Sequence, residues 1–146
     1  MNCSELILDD YRQLQFFAIN VGMVLGVGDV VGFVGEVAAG KTTFCRMIGY
    51  TKGVLLASPT YGISYKIKQV MHVDMYRVPG DLQILEYIYT AKECLVLVEW
   101  YDHEYDVLLQ PRIVIHLYRH CDKIVLHIYY YKSDDNIIKI VELFKD

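Results

Sequence analysis

Eight consecutive residues, Gly35-Glu36-Val37-Ala38-Ala39-Gly40-Lys41-Thr42, satisfy the spacing G-x-x-x-x-G-K-[ST] without a mismatch. Each fixed position has a chemical reason. A loop that wraps phosphates must turn its backbone amides inward, and Gly40 leaves room for the close approach. A helix starting at the end of the loop aims its positive N-terminal end at the same phosphates. The Lys41 ammonium then reaches the β- and γ-phosphates, and the Thr42 hydroxyl ligates magnesium. The chemistry expected is binding of a nucleoside triphosphate, ATP with Mg2+. The plainer explanation of the octapeptide is a Gly-rich turn between a strand and a helix. The apolar run before it and the helical pattern after it are the context that phosphate binding requires.

Such a site needs a carboxylate at the end of an apolar strand, close to the metal. Two segments qualify, Leu95-Val96-Leu97-Val98-Glu99 and Val70-Met71-His72-Val73-Asp74. Either acid alone would read as an ordinary solvent-facing strand end. Beside the phosphate loop, Glu99 is the better candidate for the metal. Asp74 is the candidate for orienting water or steadying a metal ligand. Ser58-Pro59-Thr60 could form a switch-like loop facing the γ-phosphate, although by spacing alone it is a turn with hydroxyls. Trp100, the single tryptophan, reads by itself as a half-buried packing residue. The histidines show no ligand cluster, and His116 and His120 are read as non-ligands.

The elements that must position these groups follow from periodicity. Leu6-Ile7-Leu8 suggests a short strand, and Asp9 and Asp10 can cap a helix from about Tyr11 to Leu25, with Leu14, Ala18, Val21 and Leu25 on one face. Val30 to Val34 reads as a buried strand, and Thr42 to about Tyr50 as a helix. Tyr61 to Ile67 and Val70 to Met75 suit a hairpin turning at Lys66 to Gln69. Pro79-Gly80-Asp81 starts a helix whose period is carried by Leu82, Leu85, Glu86 and Tyr89. Cys94 to Val98 is an apolar strand, and Tyr101 to Leu109 a short helix or loop. Arg112 to Leu117 and Lys123 to Tyr129 alternate as strands, with Tyr129-Tyr130-Tyr131 covered on both faces. Asp134 to Phe144 closes as a helix. Strands alternating with helices predict an α/β fold, a single domain over residues 1–146.

Hydrophobic residues make up 54% and charged residues 22%, which excludes a disordered chain. The net charge of -4 provides no bulk positive field for gripping a nucleic-acid backbone. Cys3, Cys45, Cys94 and Cys121 are scattered without zinc spacing and read as reduced thiols, Cys45 lying within reach of the phosphate loop. No secretory signal is visible, and Val21 to Val34 is too short and too interrupted to span a bilayer. The expectation is a soluble cytoplasmic protein.

Four motifs in order carry a resemblance: Gly35 to Phe44, Ser58-Pro59-Thr60-Tyr61, His72-Val73-Asp74-Met75-Tyr76-Arg77 and Leu97-Val98-Glu99-Trp100. The set resembles the TsaE (YjeE) family, small bacterial ATPases needed for threonylcarbamoyladenosine formation in tRNA. Its patterns are G-D-L-G-A-G-K-T-T-F, S-P-T-[FY], H-x-D-x-Y-R and an apolar run closing in E-W. The resemblance spans the chain from the first helix to Trp100 and weakens afterwards. It implies a single-domain P-loop NTPase with a central mixed β-sheet flanked by helices. It implies that Gly35, Val37, Ala38, Ala39, Gly40, Lys41, Thr42 and Thr43 line the phosphates, and that Thr42 and Glu99 hold Mg2+. Asp74 and Thr60 would face the γ-phosphate, Trp100 would line the nucleotide site, and the segment from Leu8 to Tyr11 would touch the base. The family joins the TsaB–TsaD pair, which modifies the adenosine beside the anticodon, and ATP hydrolysis resets that complex. Contact with tRNA is then indirect, and turnover alone is weak and rises with partners. Glu36 and Val37 depart mildly from the pattern. Ala38 stands where the family has Gly, and residues between Arg77 and Leu95 lack the usual acidic-glycine pattern.

Two other readings compete with an ATPase subunit. A small P-loop kinase would carry an Arg-bearing lid, and no such segment stands out. A nucleotide-dependent assembly factor would bind ATP with little hydrolysis. A GTPase is disfavoured by the lack of N-K-x-D.

Overall fold

The computed structural model describes residues 1–36, 39–56 and 64–145. In chain order the elements are β1 (Asn2–Leu8), α1 (Tyr11–Val24), β2 (Val30–Val34), α2 (Lys41–Thr51), β3 (Ser64–Ile67), β4 (Val70–Asp74), α3 (Leu82–Thr90), β5 (Leu95–Glu99), α4 (Asp106–Leu109), β6 (Ile113–His120), β7 (Lys123–Tyr130) and α5 (Asp135–Phe144). A single 3-10 turn, His103–Tyr105, precedes α4.

Strands buried on both faces read as continuous apolar runs, because neither face can be polar. β2, β4 and β5 have that pattern and lie side by side in parallel, with β6 parallel on the other flank of β2. Antiparallel strands complete a seven-stranded mixed sheet in the order β1-β7-β6-β2-β5-β4-β3. The expected hairpin is there, turning at Lys68, which takes φ 54°.

Alternate residues of each central strand enter different cores. Val31 and Phe33 pack with Leu95 and Leu97 against α1, α2 and α5. Val30, Val96 and Val98 pack on the opposite face with Leu85 and Ile88 of α3. This is the mixed sheet flanked by helices that the sequence predicts. The helix starts are set by acids: Asp10, Asp81 and Asp134 each accept a hydrogen bond from the amide three residues on.

Three expectations are corrected. β1 is a full strand rather than a three-residue one, because pairing along all of β7 extends it. On α3 the buried line is Leu85 and Ile88, while Leu82 and Tyr89 face solvent. Tyr130 is buried, but Tyr131 lies beyond the end of β7 and is exposed. No helix of the described residues is long and apolar enough to cross a membrane.

Candidate functional site

The loop between β2 and α2 sits at the carboxyl ends of the parallel strands, where open α/β sheets bind ligands. Two glycines make its path possible. Gly35 takes φ 154°, and a Cβ there would collide with the Leu117 carbonyl. Gly40 takes φ 111° as the residue before α2, and a Cβ there would lie 2.9 Å from Leu14 Cδ2. Both conformations are left-handed ones that a side chain disfavours. Val37, Ala38 and the segment holding Ser58, Pro59 and Thr60 lie outside the described residues.

Lys41 and Thr42 open α2, with Thr43 following on the first turn. The Lys41 side chain is buried, donates to the Gly35 carbonyl and places its Nζ 3.7 Å from the centroid of the Trp100 ring. Burial pushes the Lys41 pKa below its ordinary value, and Glu99 and Asp74 act in the opposite sense.

Glu99 and Asp74 end adjacent parallel strands and are direct partners across the β4–β5 ladder. Glu99 is buried, with Oε2 2.5 Å from His72 Nε2. His72 is buried as well, and its Nδ1 lies 2.9 Å from the Tyr65 hydroxyl. Asp74 is half-buried, and its Oδ1 accepts from the Tyr76 amide at 2.8 Å.

Trp100 takes φ 55°, a left-handed conformation that costs a bulky L-residue about 1–2 kcal/mol. Flanking hydrogen bonds hold it there: Met75 N donates to Glu99 O, and Tyr101 N to Phe33 O. Strain of this kind, over-determined by its surroundings, clusters at functional sites. Trp100 stacks obliquely on Tyr76, and a cavity of about 350 Å³ opens between these rings, Gly35 and Glu36.

Tyr11, the first residue of α1, places Cε1 3.7 Å from the position of a Cβ on Gly40, and the Arg119 guanidinium lies 5.3 Å over its ring. The N-terminal segment is therefore a neighbour of the phosphate loop.

The structure thus brings together Gly35, Gly40, Lys41, Glu99, Asp74, Trp100 and Tyr11. It adds residues the sequence reading missed. The histidines show no ligand cluster along the sequence, yet Cys45, His72 and Glu99 place their donor atoms within 4.8 Å of one another. The available signals were the i, i+2 spacing of His72 and Asp74, which shares one face of a strand, and the i, i+4 spacing of Lys41 and Cys45, which shares one face of a helix.

The sequence model of the family described as "Threonylcarbamoyl adenosine biosynthesis protein TsaE" matches residues 8–128. The chain belongs to the TsaE family. It is 31% identical over 107 residues to the tRNA threonylcarbamoyladenosine biosynthesis protein TsaE of Streptomyces coelicolor, covering 66% of this chain and 72% of that one. The protein of the same name from Rickettsia prowazekii is 30% identical over 119 residues, covering 75% of this chain and 83% of its own. The fold is similar to the crystal structure of Bacillus subtilis YdiB, with TM-score 0.71 over 97% of this chain and 95% of that chain at 19% identity. For a TsaE family member the P-loop fold implies nucleotide binding, and the loop geometry described above suits it.

Proposed function

We propose that this chain is the ATP-hydrolysing subunit of the machinery that forms threonylcarbamoyladenosine beside the anticodon of tRNA. It acts in the cytoplasm with TsaB and TsaD proteins, and meets tRNA only through them. The family supports the process. The observation that carries the activity is the convergence of Lys41, at the start of α2, with the two strand-end carboxylates Glu99 and Asp74.

The donor set fits magnesium, a hard cation that prefers oxygen ligands. Thr42 and Glu99 would hold it, and when bound it neutralises charge on the β- and γ-phosphate oxygens. The amides from Gly35 to Gly40, with Val37, Ala38 and Ala39 between them, and the amide of Thr43 cradle the phosphates. Lys41 leaves the Gly35 carbonyl and the Trp100 ring to bind the phosphate oxygens. His72, held by Tyr65, fixes the orientation of the Glu99 carboxylate. Asp74 orients the attacking water, and Thr60 approaches the γ-phosphate. Trp100 lines the nucleotide site, and Tyr11 lies against the base.

The test is magnesium-dependent ATP turnover by the purified chain, alone and with TsaB and TsaD. Slow turnover that rises with partners is the expected result. Tight ATP binding without turnover in either condition would replace the ATPase with a nucleotide-dependent assembly factor. In Glu99→Gln we expect turnover to fall on the order of 100-fold, with ATP binding largely retained. An unchanged rate in that variant would remove Glu99 from the metal.

A further inference from the structure

Cys45, His72 and Glu99 reach one point from three elements, α2, β4 and β5. Their relative exposures are 0%, 1% and 6%, so the cluster is enclosed, and Glu99 at its edge adjoins Lys41 and the phosphate loop. We propose that the cluster is a binding site for a zinc ion, and that zinc held there stops nucleotide turnover by taking the Glu99 carboxylate. The regulatory half rests on the proposed role of Glu99 toward magnesium. The binding half does not.

The donor set separates the two metals. Zinc takes thiolate, imidazole and carboxylate together in tetrahedral sites. Magnesium demands near-octahedral oxygen coordination and has little use for a thiolate. Three protein ligands with water completing the tetrahedron is a known zinc arrangement. In a tetrahedral centre with ordinary bond lengths, the ligand atoms lie roughly 3.3–3.5 Å apart. Cys45, His72 and Glu99 have their donor atoms within 4.8 Å, and the His72–Glu99 pair at 2.5 Å must part by about an ångström to admit the ion.

The surroundings suit a bound ion. Zinc-ligating imidazoles normally engage a partner through the other ring nitrogen, which fixes ring orientation and tautomer. His72 has that partner in Tyr65, whose hydroxyl lies 2.9 Å from Nδ1. On binding, the Cys45 thiol loses its proton to solvent. Zinc on Nε2 requires the neutral His72 to carry its proton on Nδ1, reached by exchange with solvent, where it donates to the Tyr65 hydroxyl oxygen. The two anionic ligands, thiolate and carboxylate, balance the charge of the ion.

The test uses the full chain, metal-free and without nucleotide, titrated with Co2+ as a coloured stand-in for Zn2+. The expected result is one equivalent of cobalt with intense tetrahedral visible bands and a near-ultraviolet thiolate charge-transfer band, all bleached by zinc. In Cys45→Ala the charge-transfer band should vanish and zinc should bind at least about tenfold more weakly. That variant keeps Cys3, Cys94 and Cys121, so a band that survives in it overturns the assignment. Circular dichroism establishes that the variant is folded. If it is not, His72→Gln serves instead, with loss of the tetrahedral bands expected. In turnover assays, micromolar zinc should inhibit the parent chain and spare Cys45→Ala. A cobalt–thiolate band in a chain that never hydrolyses ATP would keep the zinc site and sink the ATPase. Turnover with only pale, octahedral cobalt spectra would do the reverse.

Discussion

Burial draws the Lys41 pKa down, while Glu99 and Asp74 pull it back up. A cation with a depressed folded-state pKa opposes folding while it stays charged. Its contribution to stability is fully present only above the ordinary lysine value and is lost as pH falls through the depressed one. The interior therefore holds a charge that the fold itself does not need, and bound phosphates are what would compensate it. Lys41→Met is expected to stabilise the ligand-free fold by about 0.5–2 kcal/mol while abolishing ATP binding. Thermal melts and calorimetric titration read the two effects separately. A lower melting temperature in the variant would mean that the contacts to Gly35 and Trp100 outweigh the cost of burying the charge. The neighbouring residues differ in how readable they were. Lys41, Thr42, Glu99 and Asp74 announce themselves through local patterns, a loop spacing and apolar runs ending in acids. His72 and Cys45 do not, because each looks like an ordinary strand or helix residue until the β4–β5 pairing and the seating of α2 are known.

At the scale of elements, Arg112 joins parts of the chain that the sequence keeps far apart. Just before β6, it donates through Nε and Nη2 to the two Asp134 carboxylate oxygens at the start of α5, and through Nη1 to Asp29 before β2 and to the Val24 carbonyl at the end of α1. Hydrogen bonding from Arg112 holds the Asp134 pKa below its ordinary value. A carboxyl with a depressed folded-state value stabilises above its unfolded pKa, about 4, and that stabilisation is lost as pH falls through the lower folded value. Arg112→Ala is expected to cost about 2 kcal/mol at neutral pH. Its deficit relative to the parent should shrink below roughly pH 4, as seen in urea unfolding across a pH series. A deficit independent of pH would assign the loss to the Val24 and packing contacts instead. The Asp10 cap was legible because a cap is a local signal. The buried face of α3 was not, since Leu82 and Tyr89 fit a helical period as well as Leu85 and Ile88 do. Only the sheet surface beneath selects between them.

At the scale of the molecule, the sheet order could not be read from the chain. β1 and β7 pair across almost the whole sequence, and such non-local pairing leaves no local trace. The α/β class was readable because it depends only on the alternation of strands and helices. The order matters to function: it puts β2 between β5 and β6, so the phosphate loop rises at the centre with Glu99 and Asp74 to one side. A ligand that binds only this assembled edge stabilises the whole fold by mass action. At ATP concentrations about 100 times the dissociation constant, with magnesium, the gain is about 2.7 kcal/mol, or roughly 5–10 °C in melting temperature for a chain of this size. The shift should be absent in Lys41→Ala. An equal shift in that variant would place ATP elsewhere on the surface.

The lone tryptophan of the chain carries the Lys41 ammonium over its indole face. Indole emission is sensitive to a nearby charge, and no other tryptophan adds background. If Lys41 leaves for the phosphates as proposed, Trp100 should lose that charge and its light output should change. The chain would then contain its own optical gauge of phosphate occupancy. Titrating ATP while exciting the indole should give a saturable change in intensity, and Lys41→Ala, which has no ammonium to move, should leave the gauge silent.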